Sequence, residues 1–586
     1  MKKILLALIL VFLITSCNKD TKNKEKKDIK NQTVKTTVKT VAKTYSINKN
    51  SSLLLLPEET EGIINIKSLK SVFENFMIKN NSVFGIKIED KAIEEIQKVL
   101  AINPLNLKDI ESLGIDVNKE FGIAFSDILW GKGDDLASIN VISYIPLKDD
   151  KKLITTIESK FKDGKFKKDE SFNLNIKKED GYYKFFGKQP NEVLYVLIKD
   201  HYFFIIINPI APQKALNLTK DILKGKTSLK NSKNFQELSK LSKTDSGIYF
   251  YANIEKLVDS NQVRIEKEFS KNLLNKDSKT IIEAFKTYKH ISVSIGLDTN
   301  NFVMSANALI DQNSKYLSMI KNIKYNNTTI LGLDKPALYF MSFGINIPEY
   351  IKLIKSFMEK RDVENFNKEM EKTNEKFGIN LQSDLINNFD GNFAFATYDG
   401  MSLSTTNYNS MMTIGFKNSK LIKNLIEKLL ANKELKSMSK YVNKTTDKGK
   451  TIYIINAMVT QVYLAFKDNE MIIASSKNIY DSALTSSKNT GFYKYSQKDK
   501  NLKSITDGNI VFYISFLEVI KALNNFKGML PPEPTKMVID VLELLDYFSV
   551  NIDMYDTSIS AKYILKTNSK KLFFPATIEL VKKYNK

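Results

Sequence analysis

The sequence predicts an α+β fold written as two tandem pseudo-repeats, each a mostly antiparallel sheet with helices packed on one face. Three observations predict it. Short apolar or alternating stretches read as strands, and the turns between several of them are too short for parallel crossovers. Amphipathic helical stretches are interleaved with those strands. A set of segments in the first half of the 586 residues recurs, in the same order, in the second half.

The recurrence is clearest when Tyr251 is set on Tyr513. SGIYFYANIEKLV (246–258) then meets GNIVFYISFLEVI (508–520), with Phe250 on Phe512 and Val258 on Ile520, each a strand running into a helix. HISVSIGLDTNNFVMSANALI (290–310) meets YFSVNIDMYDTSISAKYIL (547–565), and VLYVLIKDHYFFIIIN (193–208) meets VYLAFKDNEMIIASS (462–476), with Lys-Asp at the turn in both. VISYIPLKDDKKLITTIESKF (141–161) matches SMMTIGFKNSKLIKNLIEKLL (410–430), and Gly114–Asp127 matches Gly378–Asp399. The matches hold their order at an offset of roughly 255–270 residues, and that collinearity outweighs any single one. Each half opens with a short strand, Gly62–Ile66 or Ala337–Phe343. The Asn- and Lys-rich stretch 312–330 reads as the join, which places one repeat at 51–325 and the other at 326–586.

Ahead of both repeats the chain reads MKKILLALILVFLITSC. Lys2 and Lys3 precede an apolar run from Ile4 to Ile14, about half the ~20 residues a spanning helix needs and suited to the core of an export signal. Ile14-Thr15-Ser16-Cys17 resembles the lipobox of bacterial lipoproteins. That resemblance implies a signal peptide over residues 1–16. It also implies lipidation of Cys17 with palmitate-type chains and an anchor in the cell-envelope membrane, with the folded part outside the cytoplasm. Two or more chains are needed to hold firmly, at ~0.8 kcal/mol per buried methylene. Cys17 is the single cysteine of the chain, so its use as an anchor leaves no disulfide and no Cys-ligated metal within one copy. Asn18 follows the cysteine where an inner-membrane retention signal has Asp, a slight lean towards the outer membrane.

Residues 17–50 carry the lipidated cysteine and a Lys-rich stretch with no aromatic before Tyr45. Too little apolar surface is present to offset the entropy of ordering, so a disordered tether is expected. The net charge of +22 invites a nucleic-acid reading, but seven of those charges sit in the tether. Nearly all the basic residues are Lys, with Arg264 and Arg361 the visible exceptions, and base recognition favours Arg. No nucleic-acid partner is expected.

The ordered pattern also resembles a family of exported bacterial proteins of about this length and unknown function. The shared elements are a Leu-Pro-acidic turn before the first strand, Leu56-Pro57-Glu58, and a Gly-Ile element before an aromatic-small strand at Gly114–Phe125 and Gly378–Phe395. The resemblance implies a fold class and an exported location. It brings no catalytic residue.

The search for chemistry is short. His201 lies in the turn Lys199-Asp200-His201 and His290 opens a strand, neither with a second His or a carboxylate at helical spacing. Gly225-Lys226-Thr227 lacks the upstream Gly of a phosphate loop and reads as a helix C-cap at Gly225. Gly131–Asp135 lacks the third Gly of a dinucleotide fingerprint, and no nucleophile elbow is present. Asp109 with Glu111, Asp134 with Asp135, and Asp149 with Asp150 are carboxylate pairs in turn-like settings. No catalytic residue, cofactor or metal ligand is assigned. The expectation is a non-enzymatic envelope lipoprotein that contacts a protein partner. Two alternatives stay open: a carrier of a small hydrophobic ligand in a groove of the repeats, and an envelope hydrolase whose site is assembled from distant carboxylates.

Overall fold

The computed structural model describes residues 51–568 and Lys583, leaving out the larger stretches 88–96, 163–174, 273–281, 399–408 and 526–530 and several shorter ones. The expected signal peptide, Cys17 and the expected tether therefore lie outside the described residues, as do Lys132–Asp135 and Lys226-Thr227. The chain divides into two compact units at Asp311–Gln312, with the stretch Asn300–Val303 grouped with the second. The division falls at the start of the expected join and short of residue 325.

The strands of the first unit are β1 (Gly62–Ile66), three very short ones forming a small separate sheet, β2 (Met77–Ile78), β3 (Ser82–Val83) and β4 (Ile86–Lys87), then β5 (Phe121–Trp130), β6 (Leu136–Pro146), β7 (Asn175–Lys178), β8 (Tyr183–Phe186), β9 (Val193–Lys199), β10 (Tyr202–Ile207), β11 (Ile248–Asn253) and β12 (Tyr288–Asp298). Across its main sheet the order is β12-β11-β1-β5-β6-β10-β9-β8-β7, each pairing antiparallel. β13 (Asn301–Ile310) follows.

The second unit holds β14 (Ala337–Gly344), β15 (Phe389–Tyr398), β16 (Ser410–Phe416), β17 (Val442–Asp447), β18 (Lys450–Ala457), β19 (Thr460–Lys467), β20 (Glu470–Ala474), β21 (Ile510–Ser515), β22 (Leu545–Met554) and β23 (Ser558–Thr567). Their order is β23-β22-β21-β14-β15-β16-β20-β19-β18-β17, again antiparallel throughout. The fold is α+β.

The turns follow their residues. Asp200 and His201 take φ of 50° and 63°, and Lys448 and Gly449 take 53° and 74°. Two successive positive φ values match the right-handed twist of the strands they join, which keeps β9–β10 and β17–β18 as tight hairpins. Gly225, at φ 62°, ends the helix Pro212–Lys224 in the left-handed conformation, as its sequence context predicts.

One expectation is corrected: helices cover both faces of each sheet rather than one. In the first unit Ala215 and Ile222 of Pro212–Lys224, with Phe235 and Leu238 of Lys233–Leu241, pack on Tyr144, Leu197 and Phe204. The adjacent residues Ile145, Val196 and Phe203 point the other way, onto Leu69, Phe73, Ile110 and Leu153 of three other helices. In the second unit Ile479 and Tyr480 of Lys477–Thr485 lie on the side of Ala465 and Ile472. Ile422 and Ile426 of Ser419–Ala431 cover Phe466 and Met471 on the opposite side. Successive strand residues face opposite ways, so apolar neighbours demand cover on both sides. Among the described residues no helix is long and apolar enough to cross a membrane.

Candidate functional site

The residues singled out by sequence do not converge. His201 Nδ1 lies 3.1 Å from Asp150 at the exposed hairpin tip, a carboxylate partner that spacing along the chain did not reveal. Asp149 instead accepts from the backbone N–H groups of Lys151 and Lys152 at the start of a helix. Asp109 accepts from the N–H of Asn103, and Glu111 pairs with Lys148 at 2.6 Å. These are caps and solvent-screened surface ion pairs, the ordinary furniture of helix starts and hairpin tips.

His290 is a core residue. Asn234 Nδ2 lies 2.9 Å from its Nε2, which makes that nitrogen the acceptor and leaves Nδ1–H to donate to the Tyr251 hydroxyl at 2.8 Å. Burial, with Lys289 adding to it, lowers its pKa to about 4, so the ring is neutral at neutral pH.

Enclosed carboxyls that sequence reading missed sit on the strands or just before them, Glu61 and Glu470 buried and Glu120 half-buried. In the first unit Glu120 receives the backbone N–H and the hydroxyl of Ser52 and, at 3.2 Å, the amide of Asn65. The Asn65 carbonyl accepts from Tyr144 at 2.8 Å. This chain of bonds fixes the turn Ser52–Leu55, whose Leu53, with Leu56 beside it, is wholly buried in the core. In the same unit Glu61 accepts from the Ile128 N–H at 2.9 Å and lies 3.6 Å from Lys256, while Asp127 pairs with Lys214 at 2.6 Å. Burial raises the Glu61 pKa.

In the second unit Glu470 is buried and receives the hydroxyl of Thr329, on the short helix Thr328–Leu331 just ahead of β14. Burial lifts its pKa to about 7; the hydroxyls of Thr329 and Thr413 and the charge of Lys467 pull it back, and Asp390 pushes it further up. Thr413 Oγ1 nonetheless has no partner in hydrogen-bonding geometry. The Asp390 carboxyl, itself raised by burial, lies where a side chain on residue 415 would stand, and Gly415 leaves that space. Lys467 Nζ donates to the Ala483 carbonyl at 3.1 Å and to the Ser486 carbonyl and hydroxyl at 2.7 and 3.0 Å, capping the end of the helix Lys477–Thr485. Lys199 does the same in the first unit, donating to the Ile222 carbonyl at 2.5 Å. A cation at a helix C-terminus meets both the orphan carbonyls and the helix dipole. The twice-written Lys-Asp thus serves helix ends. Among the described residues no group of three or more His, Cys, Asp or Glu is placed to hold a metal.

The surface with binding character lies on the second unit. Tyr339, Met341 and Phe343 of β14 share one face of the sheet with Ile510 and Phe512 of β21, Phe393 and Phe395 of β15, and Met412 of β16. Their rings touch in series: Phe548 to Phe512 at 5.9 Å, Phe512 to Tyr339 at 5.1 Å, Tyr339 to Phe395 at 6.1 Å. Phe343 stacks on Phe393 at 5.3 Å with planes 12° apart. Phe343 is 36% exposed and Met412 39%. The helix Ile347–Phe357 that follows β14 exposes Tyr350 and Ile354 as well. Alternation along β14 signalled one such face, but only the strand order shows five strands contributing to it.

No family model matches this chain, and no curated protein does. A solved structure described as crystal form IV of TP0453 overlaps 44% of this chain and 79% of its own length, at 7% identity with a TM-score of 0.22. A likeness that slight carries no argument about fold or function.

Proposed function

We propose that this chain is a non-enzymatic, lipid-anchored envelope protein made of two copies of one unit, and that it holds a protein partner against the open aromatic face of the second. The face carries the reading. Tyr, Phe and Met are the residues that enrich protein interfaces. The rings lie across a broad sheet with Phe343 and Met412 more than a third exposed, whereas a small ligand needs a concavity that buries most of its surface.

Duplication is supported by position. The sheet registers set Ile63 beside the equivalent Phe340, Asn65 beside Ser342, Tyr144 beside Thr413 and Tyr202 beside Glu470. On that alignment Glu120 takes the place of Asn392. Each unit therefore keeps a carboxyl bonded to a hydroxyl of the turn ahead of its first long strand, half-buried Glu120 to Ser52 or buried Glu470 to Thr329. The acid has changed position while the turn has kept its seat.

A photocrosslinking residue at Met412 in the intact envelope should trap one discrete protein, and Phe343→Glu should abolish the product, while the same residue at exposed Lys372 traps nothing. A bare envelope at Met412, together with an extractable mass of a few hundred daltons on residues 51–586 in native mass spectrometry, would replace the partner with a hydrophobic ligand. The anchor has its own test. Cys17→Ser should move the protein wholly from the carbonate-washed membrane to the soluble fraction, and retention on the membrane would remove the lipid from the reading.

A further inference from the structure

The Glu470 carboxyl is enclosed by four elements. Thr329 faces it from the opening turn, Thr413 from β16, Asp390 from β15 and Lys467 from β19. Among these the strands are fixed by their ladders, and the turn is held by side-chain bonds to its carbonyls, Tyr398 to Ile330 at 2.6 Å and Thr490 to Gly332 at 2.6 Å. The nearest cation does not neutralise the acid directly. Lys467 donates its hydrogen bonds to Ala483 and Ser486 instead. Asp390 adds a second negative group, itself answered by the Asn392 N–H at 2.8 Å and by the charge of Lys417. An ionised Glu470 would therefore be a buried carboxylate with a neutral hydroxyl bonded to it and a like charge nearby, which is costly in a low-dielectric interior.

We propose that Glu470 is a proton-operated latch on the second unit: neutral, it leaves the turn Asn327–Leu331 seated on the sheet, and on losing its proton it becomes a poorly compensated buried charge that drives that turn outwards to admit water. The turn is the element that yields, because moving it breaks a few local bonds whereas moving β16 or β19 breaks a ladder. The proton leaves as a hydrated proton to solvent and no covalent bond other than O–H changes. Burial and the neighbouring Asp390 place the transition close to neutrality.

The test is amide exchange in the full mature chain between pH 6 and 8, with each rate divided by its intrinsic rate. The reporters are the N–H groups of Leu331 and Gly332, which donate to Asn327 and Thr328 at 2.9 Å. Protection in the wild type should fall about tenfold over that range, corresponding to one pK unit of linkage. Glu470→Gln, which keeps the shape of the protonated acid, should stay flat. Should that variant fold poorly, Asp390→Asn removes the like charge that pushes Glu470 up and should shift the loss of protection to lower pH. A flat wild type, an undiminished fall in Glu470→Gln, or restoration of wild-type protection at pH 8 by calcium would overturn the latch; the last would make the cluster a cation site.

Discussion

Replacing Gly122 with alanine is expected to destabilise the first unit by about 3 kcal/mol, the upper part of the range for overpacking a filled interior. A methyl on residue 122 would run into the Ile64 carbonyl and the Tyr144 hydroxyl. Neither can step aside. Ile64 is held in the central ladder between β5 and β11, and Tyr144 is bonded through Asn65 to Glu120, which seats Ser52. The disturbance therefore travels from the middle of the sheet to the opening turn. Trp130 is the single tryptophan and lies on β5 itself, with the Arg264 guanidinium 4.1 Å from its ring centre. Its fluorescence in urea should report a lowered midpoint for this unit. An unchanged midpoint in Gly122→Ala would show that the sheet has more slack here than its geometry allows.

Acid should unfold the first unit through His290. Its pKa in the folded state, about 4, lies below the ordinary 6.5, so the unfolded chain binds more protons in between. The stability that the neutral ring contributes is complete above pH 6.5. It is lost as pH falls towards 4, to a total of about 3 kcal/mol. His290→Gln cannot take up charge and can still bond Tyr251. Its urea midpoint, followed by Trp130, should lose this part of the slope between pH 7 and 4.5, and equal slopes in both proteins would refute the assignment. Glu470 works in the opposite sense in the other unit. Its folded pKa of about 7 lies above the ordinary 4.5, so ionisation costs nothing below pH 4.5 and its full cost is present above 7. Mild acid thus burdens the first unit and relieves the second.

Much of this architecture was legible in the sequence because it is local. Lys199-Asp200-His201 and Lys467-Asp468-Asn469 mark the turns β9–β10 and β19–β20, and Gly225 marks a helix end. The side on which helices lie was misread, although Phe203 to Ile207 carried the signal: five apolar residues in succession cannot all face one layer. The enclosed carboxyls were illegible for a different reason. Glu120 meets Ser52 across 68 residues and Glu470 meets Thr329 across 141, and nothing in a charged residue's immediate neighbours says that a distant turn will close over it. Asp149 and Asp150 show the same limit in reverse: adjacent in sequence, they serve a helix start and a histidine separately. The aromatic face needed the order of strands, which spacing along one strand does not supply.

The opening turn of the first unit has a mechanical consequence. Ser52 is bonded to Glu120, the Leu56 carbonyl accepts from the Leu229 N–H at 2.8 Å, and Leu53 and Leu56 are fully enclosed. A pull along the residues that precede Ser51 is therefore delivered to the centre of the hydrophobic core, not to a loose end. Two buried leucines and a half-buried carboxyl must shear together before any strand peels, so the load is shared across the sheet.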